Sequence, residues 1–300
     1  MRTFIFLTLL FTVFSQANAS IFSLGQGDLV GQITTTVVKP GKTLAQIARD
    51  NDMGYVEMEE ANPSIADTVN MAPGTVLVVP SRFVLPNAPR NGIIINLAEM
   101  RLYYYPTGSN QVVTYPMGIG REGEDTPVGV MKIIQHIKNP TWMATEEMRK
   151  LRAKEGVILP KSVPPGPENP MGKFAMRLSK PTYLIHGTND PLGGIGRRSS
   201  SGCMRLYPED IESLFYKVHD GIPVYIVNEP YKAGWSAQGK LYLESHIPLT
   251  GDEQVKQDIA RIRQVVELAT KGHEANIDWD KTQEIAQETQ GIPQVIGTAG

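Results

Sequence analysis

Cys203 is the only cysteine among 300 residues, and it stands in the run Ser200-Ser201-Gly202-Cys203-Met204-Arg205. Upstream lies His186, in Tyr183-Leu184-Ile185-His186-Gly187-Thr188-Asn189. A thiolate is the strongest side-chain nucleophile near neutral pH, and a nearby imidazole can take the thiol proton and return it to a leaving group. That pairing suits acyl transfer. Gly202 lets the backbone approach a reacting carbonyl, so the Gly202 and Cys203 amides, with Gly187, are candidates for an oxyanion hole. The plainer reading of any Cys/His pair is an inert buried thiol beside an unrelated histidine.

The flanking residues favour chemistry. The two runs, the glycine-rich Gly193-Gly194-Ile195-Gly196 between them, and Asp210 beyond them resemble the active-site signature of YkuD-type L,D-transpeptidases. Thr126-Pro127-Val128-Gly129 and Val163-Pro164-Pro165-Gly166-Pro167 extend the resemblance over roughly residues 91–228. It implies Cys203 as nucleophile and His186 as proton donor and acceptor, acting on peptidoglycan stem peptides without cofactor or metal. Ser201 stands where many members carry histidine. Ser200 occupies the family's Ser/Thr position and orients the loop or the imidazole. Arg205 either grips a substrate carboxylate through its planar fork or pairs with a buried acid such as Asp210. Tyr183 and Asn189 are further substrate-binding candidates.

A second resemblance lies upstream. Residues 34–39 are β-prone, Pro40-Gly41 turns the chain, and Thr43 can cap a helix carrying Leu44, Ile47 and Ala48 on one face. A second short helix ends at Asn62-Pro63, and Pro73-Gly74 leads into a strand closed by Pro80. This βααβ order, with Val38-Lys39-Pro40-Gly41-Lys42-Thr43-Leu44 and Ala61-Asn62-Pro63, resembles a LysM module over residues 34–81. The resemblance implies peptidoglycan glycan as ligand, with Gly41, Thr43 and Asn62 beside the groove. Each of the three also has a purely architectural reading.

The expected architecture is α+β: the LysM-like module, then a mainly-β, β-sandwich-like catalytic domain over 91–228, then a helical C-terminal extension over 229–300. Proline and glycine at 86–92 read as a linker that would let the catalytic domain fold alone. Residues 138–172 are a proline-rich excursion of the kind that forms lids or substrate walls, where Trp142 either lines the cleft or pins the loop. Gly118-Ile119-Gly120-Arg121-Glu122-Gly123 matches a dinucleotide pattern, but the breakers that follow deny it the required helix.

Residues 1–19 read as a secretory signal: Arg2, an apolar run too short to span a bilayer, then Ala17-Asn18-Ala19. The expected location is periplasmic, at the cell wall, with no stable membrane insertion. Export sharpens the thiol argument, because a lone cysteine in an oxidising compartment has no intramolecular partner. The net charge of −2 gives no reason to expect nucleic acid. Ala233-Gly234-Trp235 and the stretch around His246 extend the resemblance toward Gram-negative envelope members, the ErfK/YbiS-like group. Some of those attach a lipoprotein to the wall and others form cross-links, and the acceptor stays open between a second stem, a lipoprotein lysine, an amino acid and water. A catalytically silent wall-binding protein is the alternative.

Overall fold

The computed structural model describes residues 19–249 and 259–300. The signal expected over 1–19 lies outside the described residues except for Ala19. Among the described residues no helix is long and apolar enough to cross a membrane.

The small N-terminal module has the expected βααβ order. Strand Thr34–Val37 pairs antiparallel with Val76–Val79, and helices Leu44–Asp50 and Tyr55–Glu60 lie between them in the chain. Thr43 caps the first helix: its hydroxyl accepts from the Gln46 N–H at 3.3 Å, and the Gln46 side chain accepts from the Thr43 N–H at 3.0 Å. Leu44, Ile47, Met58 and Leu77 are buried together in one core.

The central domain is a ring of eight strands. Their hydrogen-bonded order is Gly92–Asn96, Arg101–Tyr105, Gln111–Gly120, Met204–Leu206, Leu184–His186, Phe174–Leu178, Gly129–Lys138, Pro223–Val227 and back to Gly92–Asn96. Facing sheets were expected from the many short strands. The ring closes instead because Arg101–Tyr105 pairs on one side with Gly92–Asn96 and on the other with Gln111–Gly120. Gly92–Asn96 and Arg101–Tyr105 are buried along their whole length. Side chains alternate across a strand, and here the two faces serve two cores. Ile93, Ile95, Leu102 and Tyr104 fill the ring, whereas Ile94, Tyr103 and Tyr105 pack under the N-terminal module. The dinucleotide-like glycines serve close packing. A Cβ on Gly118 would lie 2.0 Å from the Gly194 oxygen, and one on Gly120 would lie 2.2 Å from that of Glu124.

Across the linker read at residues 86–92, the module packs directly onto the ring. Arg101, with 0% of its side chain exposed, is gripped by Glu57 of the module. Gly54 and Gly196 approach so closely that a Cβ on Gly196 would stand 2.1 Å from the Tyr55 nitrogen. The Val56 N–H donates to the Gly196 oxygen at 3.1 Å. Tyr207 donates to the Met53 oxygen at 3.1 Å, and Arg49 makes a two-point contact with Glu209 at 2.9 Å each.

The C-terminal extension holds helices Ile259–Ala269 and Trp279–Glu288, as its amphipathic pattern suggests, but it is built on a sheet. Tyr231–Trp235, Lys240–Ser245, Gln294–Ala299 and Ala275–Ile277 pair antiparallel in that order. Leu241, Leu243, Val266 and Ile285 form its core. Lys232, Glu244 and His246 are buried where it meets the other two parts. The Lys232 ammonium lies 2.6 Å from Glu99 and 2.9 Å from Glu244, while His246 contacts Glu244 at 2.7 Å and Glu60 of the module at 3.3 Å. Glu99, Glu244 and His246 could converge on a metal ion, but the lysine already supplies the cation. Hydrogen bonds and charge from Glu244 and Glu60 outweigh burial and push His246 up to about 10, so it is protonated too.

Candidate active site

Strands Leu184–His186 and Met204–Leu206 are neighbours in the ring and run parallel, with Ile185 opposite Met204 and His186 opposite Arg205. Ile185, Met204 and Leu206 point into the core. Alternation then turns His186, Arg205 and the preceding Cys203 to the other face. The two chemical runs of the sequence thus meet because their apolar neighbours anchor them side by side.

The imidazole is buried, and its Nδ1 lies 2.6 Å from the Gly187 oxygen. With the proton on Nδ1 donated to that carbonyl, Nε2 is left as the basic nitrogen. Burial, and then the positive charge of Arg205, push His186 down to about 3. The imidazole is therefore neutral at any ordinary pH. The Cys203 thiol is partly covered, and burial raises it above the usual thiol range, against the Leu184 N–H and the charges of Arg205 and Arg177. The resting pair is a thiol and a neutral imidazole. The sulfur donates weakly to the Thr182 oxygen at 3.7 Å, and among the described residues no direct thiol–imidazole hydrogen bond is made. Proton transfer between the two would require the thiol to turn from Thr182 toward Nε2; catalytic contacts are often long before substrate binds.

The nucleophile turn is tied down from within. Gly202 has a left-handed φ of +95°, and a Cβ there would stand 3.0 Å from the Tyr183 ring. Ser200 spans the turn: its hydroxyl donates to the Cys203 oxygen at 2.6 Å and accepts from the Gly202 N–H at 3.1 Å. This corrects the expected oxyanion hole. The Gly202 amide is spent on Ser200, and the Gly187 N–H donates to the Phe174 oxygen at 3.1 Å. The Cys203 N–H has no acceptor among the described residues. Gly187 acts instead through its carbonyl, by fixing the imidazole tautomer.

Arg205 has no ion-pair partner among the described residues, and the expected pairing with Asp210 is absent there. One of its terminal nitrogens reaches the Ser199 hydroxyl at 3.3 Å, while its buried Nε has no partner. Burial lowers its pKa. A partly unsatisfied guanidinium beside the thiol can receive a carboxylate. Asn189 is exposed and donates to the Glu168 oxygen at 3.2 Å. Trp142 sits half-exposed in a two-residue strand paired with Ser162–Val163. The 138–172 excursion touches the nucleophile turn through Arg152, which bonds Ser201 at 3.3 Å and Glu124 at 3.0 Å. Arg121 and Glu155 complete that ionic cluster.

Two module residues expected at a glycan groove are occupied by the fold. Asn62 is buried; its amide donates to the Met58 oxygen at 2.8 Å and the Val78 oxygen at 2.9 Å, and its oxygen accepts from the Val78 N–H at 2.8 Å. Thr43 is the helix cap. Gly41 occupies an exposed turn at φ +73°.

Sequence reasoning missed Thr126. Its hydroxyl donates to the Gly202 oxygen and accepts from the Gly120 N–H, clamping the nucleophile turn to the long strand Gln111–Gly120. The motif Thr126-Pro127-Val128-Gly129 pointed to the position but not to the contact.

A model of the L,D-transpeptidase catalytic domain, YkuD, matches residues 90–226, and one of the LysM domain matches residues 36–80. The chain is 41% identical over 270 residues to "Probable L,D-transpeptidase YbiS" of Escherichia coli, covering 88% of this chain and 87% of that one. It is 40% identical over 272 residues to "Probable L,D-transpeptidase YcfS" of the same organism, covering 88% and 84%. With "Probable L,D-transpeptidase ErfK/SrfK" of Salmonella typhimurium the identity is 38% over 297 residues, covering 97% and 94%.

Proposed function

The chain belongs to the L,D-transpeptidase family, and on that premise we propose that it transfers acyl groups on peptidoglycan stem peptides, with Cys203 as nucleophile and His186 as proton acceptor and donor. Cys203 Sγ attacks the carbonyl between the L-centre of a diamino acid and the terminal D-alanine. As the C–S bond forms, the thiol proton passes to His186 Nε2, and the Gly187 carbonyl steadies the imidazolium through Nδ1–H. The Cys203 N–H is the backbone donor left to meet the oxyanion. When the C–N bond breaks, the imidazolium returns its proton to the departing D-alanine amine, leaving a thioester. An acceptor amine then attacks the thioester, gives up its proton to Nε2, and the thiol is restored.

A second stem as acceptor forms a cross-link, a lipoprotein lysine gives an anchored lipoprotein, and water gives a carboxypeptidase. The N-terminal module holds the enzyme on peptidoglycan, and residues 1–19 direct export to the periplasm. The observation carrying this reading is the parallel register of Ile185 with Met204. It sets a lone thiol, an imidazole of fixed tautomer and a guanidinium with no ion-pair partner among the described residues on one face.

The test is a transfer assay with a disaccharide-tetrapeptide donor ending in D-alanine and an amine acceptor, read by mass spectrometry. The expected product has lost D-alanine and gained the acceptor, and Cys203→Ala forms none. Absence of both transfer and D-alanine release from the folded native protein would end the proposal.

A further inference from the structure

The first strand, Ser20–Ser23, pairs antiparallel with the start of the long ring strand Gln111–Gly120, with Ser20 opposite Thr114. That register brings the beginning of the strand to the junction of ring and module. The Ser20 nitrogen donates to Asp52 Oδ2 at 2.7 Å, and the Ser20 hydroxyl donates to the same oxygen at 2.5 Å. Asp52 follows the module's first helix at a left-handed φ of +57° and is 6% exposed. Its own carbonyl accepts from Arg101 at 3.1 Å. Ser20 is half-buried, so its nitrogen stands within the junction rather than on a solvated tail.

The charge around this contact is uneven. Asp52, Glu57 and Asp210 are buried carboxyl groups, Asp52 within the field of Glu57 and Asp210 within that of Asp52. The buried cation beside them, Arg101, is taken by Glu57 in a two-point pair, and Arg49 is held by Glu209. Burial first, and then the Glu57 charge, push Asp52 up to about 6 against the pull of Arg101 and the Ser20 bonds. Burial and the Asp52 charge carry Asp210 well above the usual carboxylate range, and its Oδ2 has no partner among the described residues. Buried carboxylates need a paired cation. One further positive charge at Asp52 is what the cluster lacks.

In a chain that begins at Ser20, the donor to Asp52 is an α-ammonium, with a charge that an amide does not carry. We propose that Asp52 is the receiving site for this amino terminus, so that cutting after Ala17-Asn18-Ala19 supplies the missing cation and completes the union of ring and module only in the mature chain. In the cut, a peptidase of the export route adds water across the Ala19–Ser20 amide. The C–N bond breaks, Ala19 leaves as a carboxylate, and Ser20 keeps the ammonium. The proposal rests on the export reading above and adds what the cleavage does to the fold.

Two measurements test it, and neither uses transfer, so their failure is separate from failure of the transfer assay. The intact mass of the exported protein should equal that of residues 20–300; any other start overturns the proposal. Urea unfolding is then compared between the chain beginning at Ser20 and the same chain acetylated at its α-amine. Acetylation should raise the unfolding equilibrium constant at least about tenfold, because it removes one member of a buried pair. In Asp52→Asn, where the partner charge is gone, acetylation should change that constant less than about twofold. Unchanged stability on acetylation of the native sequence overturns the proposal. So does an undiminished loss in Asp52→Asn, which would assign the effect to the bulk of the acetyl group.

Discussion

Arg101 and Glu57 form a two-point ion pair across the boundary between the ring and the N-terminal module, Nε to Oε1 at 2.6 Å and Nη2 to Oε2 at 2.9 Å. Arg101 also donates to Thr114 and to the Asp52 carbonyl, so each of its three nitrogens has a partner. Removing one member of a buried pair strands the other charge and costs about 3–5 kcal/mol. Glu57→Ala should therefore lower the stability of the whole protein by that order in urea unfolding. A chain starting near residue 86 should fail to fold as a soluble ring. Wild-type-like stability of Glu57→Ala would show that the two parts are merely adjacent.

Thr126 should act as a positioning residue for the nucleophile turn. Thr126→Val keeps the shape but removes the hydroxyl that joins the Gly202 carbonyl to the Gly120 N–H. A misplaced catalytic group commonly costs about 100-fold in rate. Acylation of Cys203 should fall toward that extent, with restoration in Thr126→Ser. A loss that serine does not restore would assign Thr126 to packing alone.

The pH profile follows from the depressed imidazole. His186 is held at about 3, below the ordinary histidine value of 6.5, so its basic form persists into acid. Acylation should show no fall from imidazole protonation between about pH 5 and 7, where an exposed histidine would titrate. The same depression has a cost in stability: below 6.5 the unfolded chain takes up a proton that the native imidazole refuses, so stability falls as pH drops from 6.5 toward 3. A tenfold loss of acylation rate per pH unit beginning near 6.5 would show a solvated imidazole.

Asn62→Ala should destabilise the N-terminal module by about 1–3 kcal/mol, because it strands the partly buried Val78 N–H and two carbonyls. Affinity for glycan should be unchanged wherever the variant is folded. A selective loss of glycan binding, without loss of stability, would restore Asn62 to a ligand groove.

The candidate site was legible because its signals are local. A lone cysteine after glycine and a histidine before glycine are visible in the chain, and β-branched and apolar runs announce the strands that carry them. The βααβ module was legible for the same reason, through a capping threonine and paired turns. What stayed hidden depends on partners far apart in sequence. Ring closure needs Arg101–Tyr105 to pair on both sides, which its apolar run permits but does not dictate. The fixed docking of the module hangs on Glu57 finding Arg101, and on two glycines whose contact no spacing reveals. That Thr43, Asn62 and the Gly202 amide are engaged within the fold was hidden too, because a residue able to bind a ligand is equally able to bind its own backbone.

The central claim is that Cys203 is the acylated nucleophile. A carbapenem presents a strained carbonyl in the place of the donor, and the intact mass of the protein reports its capture. The native protein should gain one drug mass, mapped to the peptide containing Cys203, and folded Cys203→Ala should gain none. An adduct of equal yield in the alanine variant would contradict the account.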